Sequence, residues 1–443
     1  MQGQSVDEPR DKNARLPSER GPSTASSMCL GGSQATALPQ AHSERVFDLA
    51  FDKSNRWMAS ASDAEDVKIW DVAASGEVPK LLQRLPHAAE VLRVAWKGQP
   101  RDGEQSRDGE RVADLPNTTS WFATGTAAGA VRIYCVAAQA KSERNPNKSH
   151  DQKEAGATFA LKTEFAHPGP DQQIYALLWL ETTELNSQPS LMTAADDKIY
   201  WWDVENQSLT NTWAFDSVAP TTEPGNRAAY GGVKRNPANI CYIFDAVAGE
   251  LYPGQGEDVV CVALSDGSVR VLDRRSARTV ARVQGAEGHL TALHLATHEH
   301  LLLACGGRGD VVAFDTRTFS VRAVLKGHGR PVFGAALVPP DLTNCVGSEA
   351  INAPMVMTWS TDTTLRFFDL NTGNSAARHV VCHPRFPILT CAFRPGHRQL
   401  VLGGGTGVPE PHTHLPEDLQ KTEKCCAHGD VKPPSLLYYN FHG

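Results

Sequence analysis

The sequence predicts an all-β chain built from a repeated unit, and three observations carry that prediction. A strand-like hexamer recurs. "VKIWDV" (Val67–Val72) is followed, in decreasing fidelity, by "IYWWDV" (Ile199–Val204), "LRFFDL" (Leu365–Leu370), "VRVLDR" (Val269–Arg274), "VVAFDT" (Val311–Thr316) and "VRIYCV" (Val131–Val136). Each shows strand alternation and is rich in β-branched or aromatic residues. Ahead of each hexamer stands a small-residue apolar run that ends in a tight turn. Ahead of most of those runs stands a histidine and then one more strand, as in "GHLTALHLA" (Gly288–Ala296), "GHGRPVFGAAL" (Gly327–Leu337) and "CHPRFPILTCAF" (Cys382–Phe393). A multi-strand unit repeated along a chain marks a repeat architecture.

Taken in chain order, each unit shows the same grammar. The first has His42, "MASASD" and the anchor Trp70. The second has "FATGTAAG" and Tyr134 where the anchor belongs. The third has His167, "LMTAADD" and Trp202. The fourth and fifth have "VCVALSDG" with Leu272 and "LLACGGRGD" with Phe314. The sixth has His328, "VMTWSTD" and Phe368. The seventh follows a long insertion and ends on Tyr439 in "LLYYNF". From Asp273 to Asp315, where no insertion intervenes, the spacing falls in the ~40–45 residues of a four-stranded repeat.

Composition limits the function. A chain of 443 residues can bury a large core, and its hydrophobic fraction of 41% is that of a globular protein. The formal charge of −7 gives no reason to expect nucleic acid or an anionic membrane as partner. Ten cysteines are scattered without pairing rhythm. Cys241, Cys261, Cys305 and Cys391 lie inside apolar runs, which suits buried thiols in a reducing compartment rather than a disulfide framework. No apolar run is long enough to cross a bilayer, and the N-terminus lacks a signal-peptide core. Residues 1–35 are rich in Ser, Gly, Pro, Gln and charge and are expected to be disordered. Their acidic residues Asp7, Glu8, Asp11 and Glu19 argue against a mitochondrial presequence. The expected location is the cytoplasm, the nucleus or both.

The repeated order of Gly-His, strand, strand, Asp-containing turn and strand ending Trp-Asp resembles the WD-repeat β-propeller family, over roughly residues 40–443. The resemblance implies one domain, residues 36–443, in which each repeat forms a four-stranded blade. The anchors count seven blades. The seventh reaches only its third strand, so a segment near "QATALPQ" (Gln34–Gln40) is expected to supply the fourth and close the ring. The resemblance also implies buried hydrogen-bonded sets within blades, assigned here to His42, Asp63 and Trp70, to His167, Asp196 and Trp202, and to His328 and Asp362. Phe368 cannot donate in the last set. These groups satisfy buried polar atoms and are not expected to be catalytic.

Several segments stand outside the repeat: 98–119, 137–157, 216–237 and 406–434 are long, polar or Pro/Gly-rich. The last holds His412, His414, Cys425, Cys426 and His428, which are zinc-competent types without a standard finger spacing. A loop without metal is the simpler expectation. No G-x-S-x-G elbow, H-E-x-x-H or Walker loop occurs. "GGGTG" (Gly403–Gly407) opens no helix and so lacks an anion-holding dipole. No nucleophile and base are nominated, no cofactor is expected, and the chain reads as a non-enzyme. "DRRS" (Asp273–Ser276) has the paired arginines of phosphoinositide-binding propellers without the glycine that completes their motif.

One asymmetry points outward. Two neighbouring units end in Asp-x-Arg, at Asp273/Arg275 and Asp315/Arg317, whereas the others end "WDVA", "YCVA", "WDVE", "FDLN" and "YNFH". An arginine there offers a planar fork of donors to a partner. This pair is similar to the double Asp-x-Arg box of substrate receptors for cullin-4 RING ubiquitin ligases, in which the arginines dock on the ligase's adaptor. Both boxes here replace the anchor Trp, with Leu272 and Phe314. A local Asp–Arg bridge that finishes the turn is the other reading. His289, Arg308, His328, Arg330 and His383 are expected on or near the opposite face, where the channel opens. Two functions stay open: a non-catalytic protein–protein interaction scaffold within a multiprotein complex, and a ligase substrate receptor. An enzyme or lipid binder stands well behind both.

Overall fold

The computed structural model describes residues 29–30, 33–34, 36–72, 78–97, 120–137, 157–169, 172–180, 190–214, 241–249, 259–274, 276, 278–339, 342, 354–371, 375–381, 386–394, 397–405 and 435–440. These residues form seven four-stranded antiparallel sheets and one two-stranded sheet, Cys29–Leu30 paired with Ser33–Gln34, which lies within the 1–35 segment expected to be disordered. Each four-stranded sheet is one turn of the sequence repeat. Blade 1 runs Val46–Phe51, Trp57–Ser62, Asp66–Asp71 and Lys80–Pro86. Blade 2 runs Val91–Trp96, Trp121–Thr126, Ala130–Ala137 and Thr158–Ala166. Blade 3 runs Ile174–Leu180, Ser190–Ala195, Lys198–Asp203 and Ser208–Ala214. Blade 4 runs Ile243–Gly249, Val259–Leu264, Ser268–Asp273 and Arg278–Gln284. Blade 5 runs Leu290–Ala296, Leu301–Gly306, Val311–Asp315 and Val321–Leu325. Blade 6 runs Val332–Leu337, Met355–Ser360, Thr364–Asp369 and Ser375–Val381.

Blade 7 contains Ile388–Arg394, Gln399–Gly404 and Leu436–Asn440, and its fourth strand is Thr36–Ala37 from the other end of the chain. Thr36 pairs with Tyr438 and Ala37 with Leu437, and the Leu38 N–H donates to the Leu436 carbonyl at 3.2 Å. The expected closure near Gln34–Gln40 is therefore the one observed. Gly403 and Gly404 of the glycine run belong to a buried strand. Residues 1–28, the insertion cores and the 412–428 His/Cys cluster lie outside the described residues.

In each blade the first strand is innermost and packs against the first strand of the next blade, so the seven inner strands enclose a central channel. Seven apolar clusters fill the seven wedges between blades. Trp96, Phe122 and Tyr134 help fill the wedge between blades 1 and 2, Trp202 that between 2 and 3, and Tyr439 that between 6 and 7. All seven predicted anchors are buried. The near-continuous apolar runs, such as the buried Val311–Phe314, follow from this, because both faces of every sheet meet a neighbour.

Antiparallel order fixes two faces. Blade-to-blade connections and the turns between second and third strands share one face, called here the upper. Turns between first and second strands, and between third and fourth, share the lower. The Asp-x-Arg turns are on the lower face, and the histidines lie toward the upper.

Candidate functional site

The buried polar sets come first, because they decide which histidines can act. In blade 1, His42 Nδ1–H donates to Asp66 Oδ1 at 2.6 Å, and Nε2 lies 2.6 Å from Ser60 Oγ. Trp70 Nε1–H donates to the same hydroxyl at 2.9 Å. The tautomer follows from the carboxylate facing Nδ1. The expected Asp63 is not in the set. It sits in the turn and accepts from Arg45 Nε at 2.8 Å, whereas Asp66 opens the third strand and points inward. The turn spans Asp63–Glu65, with Glu65 left-handed at φ 56°, and that length moves the inward carboxylate to Asp66.

Blade 3 corrects a second expectation. His167 Nε2 and Trp202 Nε1 share Thr193 Oγ1 at 2.7 and 2.9 Å. Asp196 is held in a two-residue turn at φ 53°, too short to carry its carboxylate back to the ring. His167 Nδ1 has no partner among the described residues. In blade 6, His328 Nδ1 meets Asp362 Oδ2 at 2.8 Å and Nε2 meets Thr358 Oγ1 at 2.7 Å, with Phe368 in the anchor place. Blade 2 holds a set that sequence reading missed: His87 Nε2 on Thr124 Oγ1 at 3.0 Å and Nδ1 on the Leu85 carbonyl at 3.0 Å. The signal was present in "PHAAE" and "FATGT".

Burial lowers the pKa of all four histidines, to about 4 for His87 and His167, so they are neutral near pH 7. Each is committed to structural bonds, which leaves none in a general acid–base role. Burial pushes the Cys261 thiol up to about 12, so it is an inert apolar side chain. Cys135, Cys241, Cys261, Cys305 and Cys391 are free thiols.

On the lower face, Asp315 and Arg317 form a closed turn. Arg317 donates from Nε to Asp315 Oδ1 at 3.1 Å and from NH2 to Oδ2 at 2.7 Å, and its own N–H donates to Oδ1 at 2.8 Å. The guanidinium holds the Asp315 carboxyl below the usual carboxylate range. The Arg317 side chain is nevertheless 59% exposed. Asp273 accepts from the Ser276 N–H at 3.3 Å. Arg275 lies outside the described residues. Its neighbour Arg274 turns toward blade 3, donating to Ser190 Oγ at 3.0 Å and stacking over Trp201 at 5.6 Å.

The upper mouth of the channel has a second constellation. Near its start, every inner strand breaks register by one residue: at Val46/Asp48, Val91/Arg93, Ile174/Ala176, Ile243/Asp245, Leu290/Ala292, Val332/Gly334 and Ile388/Thr390. Such bulges re-aim side chains. The skipped residues are Phe47, Leu92, Tyr175, Phe244, Thr291, Phe333 and Leu389. Tyr175 meets Phe244 edge-on at 5.7 Å, and Phe244 meets His289 at 5.7 Å. Arg45 stands 5.2 Å over Phe47, and Phe333 is exposed. His289 and Arg308 are exposed on this face, Arg308 paired with Glu287 at 2.9 Å. Arg330 is half-buried, His328 is buried, and His383 lies outside the described residues.

Beneath the aromatics runs a charged belt. Asp48 accepts from Val94 N–H of blade 2 at 3.0 Å, and Asp245 accepts from Leu293 N–H of blade 5 at 2.8 Å. These are equivalent positions stitching one blade to the next. Arg93 donates to the Tyr175 carbonyl at 2.6 Å and stands 4.0 Å from Asp245. Burial raises the pKa of both carboxyls, that of Asp48 to about 6, against the pull of Arg93. The sequence carried a signal for this mouth as well. A β-branched residue followed by an aromatic opens four inner strands, at Val46-Phe47, Ile174-Tyr175, Ile243-Phe244 and Val332-Phe333.

A closed ring of seven four-stranded blades, fastened by an N-terminal strand, with buried His–Ser/Thr–Trp bonds in blades 1 and 3, defines a repeat propeller whose recurrent buried polar sets, among the described residues, are structural. The WD domain, G-beta repeat, matches residues 33–71, a stretch that runs from the closure strand through the first Trp-Asp anchor. With the seven-bladed ring itself, this match supports a WD-repeat β-propeller. No curated protein matches the chain.

Proposed function

We propose that this propeller is a non-catalytic protein–protein interaction scaffold, a subunit of a multiprotein complex in the cytoplasm or nucleus, and that it holds a partner's segment at the upper mouth of its channel. WD-repeat propellers typically serve as such scaffolds. The observation that carries the choice of face is the set of aromatics at the inner-strand bulges: Phe47, Tyr175, Phe244 and Phe333. Aromatic side chains give large contact area for little rotamer entropy and dominate interface energetics. Protein is the partner class proposed, with neither nucleic acid nor membrane. The test is quantitative affinity capture from extract with wild type and the Tyr175→Ala, Phe244→Ala, Phe333→Ala triple variant, both shown to be folded by circular dichroism. Partners common to repeated captures are expected to fall at least tenfold with the variant. Unchanged recovery of every partner would refute this choice of face.

A second reading has its own observation. Asp315 pins Arg317 with its fork more than half exposed, so the guanidinium is presented in one orientation. Paired with Arg275, it suits a substrate receptor that docks on the adaptor of a cullin-4 RING ubiquitin ligase. Loss of that adaptor from the Arg275→Ala, Arg317→Ala variant, with other partners retained, is the result expected under this reading. Absence of the adaptor from wild-type captures would remove it.

A further inference from the structure

A groove runs up the outside of the ring between blades 4 and 5, and its walls differ in chemistry from the rest of the rim. Register decides which side chains face it. Ala281 and Val283 pair with Val271 and Val269, all in the apolar cluster of this wedge. On the other wall, Val321 pairs with Phe314 and Val324 with Val312, both in that same cluster. Val321 and Val324 are nevertheless 54% and 41% exposed, and Phe319 at the lower end is only partly buried. The wedge between blades 1 and 2 is finished differently. There Phe159 is buried, and Gln83 bridges the two outer strands by exchanging hydrogen bonds with the Phe159 backbone at 3.0 and 2.8 Å. No side chain bridges the outer strands of blades 4 and 5 among the described residues.

Basic side chains line the groove. Arg278 stands at its lower end, Arg322 along the outer strand of blade 5 and Lys326 beyond its upper end, all exposed. Arg278, Arg322 and Lys326 have no ion-pair partner among the described residues. Of the acids nearby, Asp273 lies opposite Arg278 in the strand pair and accepts from the Ser276 N–H, Asp315 is engaged by Arg317, and Asp266 by Arg282 at 2.9 Å. This cationic strip lies on a chain whose formal charge is −7. The outer strand Val321–Leu325 is also the edge of its sheet, and an edge strand offers unpaired N–H and C=O groups to an added strand. Blade 5 is the one blade whose connections are all described, and each is short, so its own turns do not cover the groove.

We infer that the groove between blades 4 and 5 docks an extended acidic segment of a partner protein, pairing with the edge of Val321–Leu325, setting apolar side chains on Val321 and Val324 and carboxylates against Arg278, Arg322 and Lys326. The inference does not rest on the channel-mouth reading, since the two surfaces share no residue. The probe is a fluorescein-labelled peptide of alternating Val and Asp, with its Lys-for-Asp counterpart as control, titrated against the full chain by fluorescence anisotropy. Saturable binding of the acidic peptide is expected, at least tenfold tighter than the basic one and weakened by added salt. Val321→Asp with Val324→Asp, and separately Arg278→Glu with Arg322→Glu, are each expected to weaken it at least tenfold without changing Tm. Hydrogen exchange of 321–325 is expected to slow on binding. Equal affinity for both peptides, absence of binding, or binding untouched by both variant pairs would overturn the inference. Binding that appears only after residues 250–258 are replaced by a Gly/Ser linker would overturn it too. That result would make the chain's own acidic segment (Glu250, Leu251, Tyr252, Glu257, Asp258) the occupant.

Discussion

Asp48 gives the sharpest physical test of the channel belt. Its ordinary pKa is 3.8 and its folded value is about 6. The folded state therefore binds this proton more tightly than the unfolded chain. For a carboxyl with a raised folded pKa, ionisation weakens the fold. The stability ascribed to Asp48 is lowest above about pH 6 and is regained as pH falls toward 3.8. At about 1.4 kcal/mol per pH unit, the interval corresponds to about 3 kcal/mol. Asp48→Asn stands in for the protonated form, because its carbonyl can still accept one of the two backbone N–H groups that Asp48 binds, from Leu49 and Val94. The variant is expected to gain about 2–3 kcal/mol relative to wild type between pH 4 and pH 7.5, in urea unfolding at matched ionic strength. Differencing the two proteins cancels titrations they share, including Asp66 and Asp362, whose lowered pKa values act in the opposite direction. A difference that stays flat with pH, or that favours wild type more at pH 7.5 than at pH 4, would refute the account of a desolvated carboxylate held against Arg93.

Three further outcomes follow from the buried bonds. Asp66→Asn is expected to cost about 1–3 kcal/mol by leaving His42 poorly partnered, whereas Asp63→Asn, which weakens only the half-exposed ion pair with Arg45, stays within about 1 kcal/mol; chemical denaturation of both separates the observed set from the expected one. Thr193→Val keeps the shape but strands both His167 Nε2 and Trp202 Nε1, so about 2–4 kcal/mol is expected, together with a change in Trp fluorescence on folding. Leu38 is 4% exposed and packs against Leu436 and Tyr438 at the closure; Leu38→Ala is expected to cost about 2–5 kcal/mol, with hydrogen exchange of 436–440 accelerating before that of any inner strand.

Much of this fold was legible because its information is local and repeated. A strand's alternation, the Trp-Asp ending and the turn after the second strand are each set within a few residues, and repetition multiplies the signal. The closure was legible for a related reason: a seventh repeat short of one strand leaves an edge that some apolar segment must fill, and Thr36–Ala37 lies where the first repeat begins. Side-chain direction in turns was not legible in the same way. Asp63, Asp66 and Asp196 differ by one or two positions in turns of different length, and one residue more or less reverses which way a carboxylate points. His87 was overlooked for want of an acidic partner, since its Nδ1 uses a backbone carbonyl instead.

The sequence by itself determined the class of the molecule: an all-β repeat, its anchors, its closure and the absence of a recognisable catalytic motif. These depend on periodicity, which any stretch of chain displays without knowledge of its neighbours. Only the tertiary structure decided what the recurrent positions are for. Phe47, Tyr175, Phe244 and Phe333 are far apart in sequence and become one surface because seven inner strands bulge at one level around one axis. Burial in the ring raises the pKa of Asp48 and Asp245. Long-range proximity sets burial and the local field, and neither quantity exists until the ring has closed.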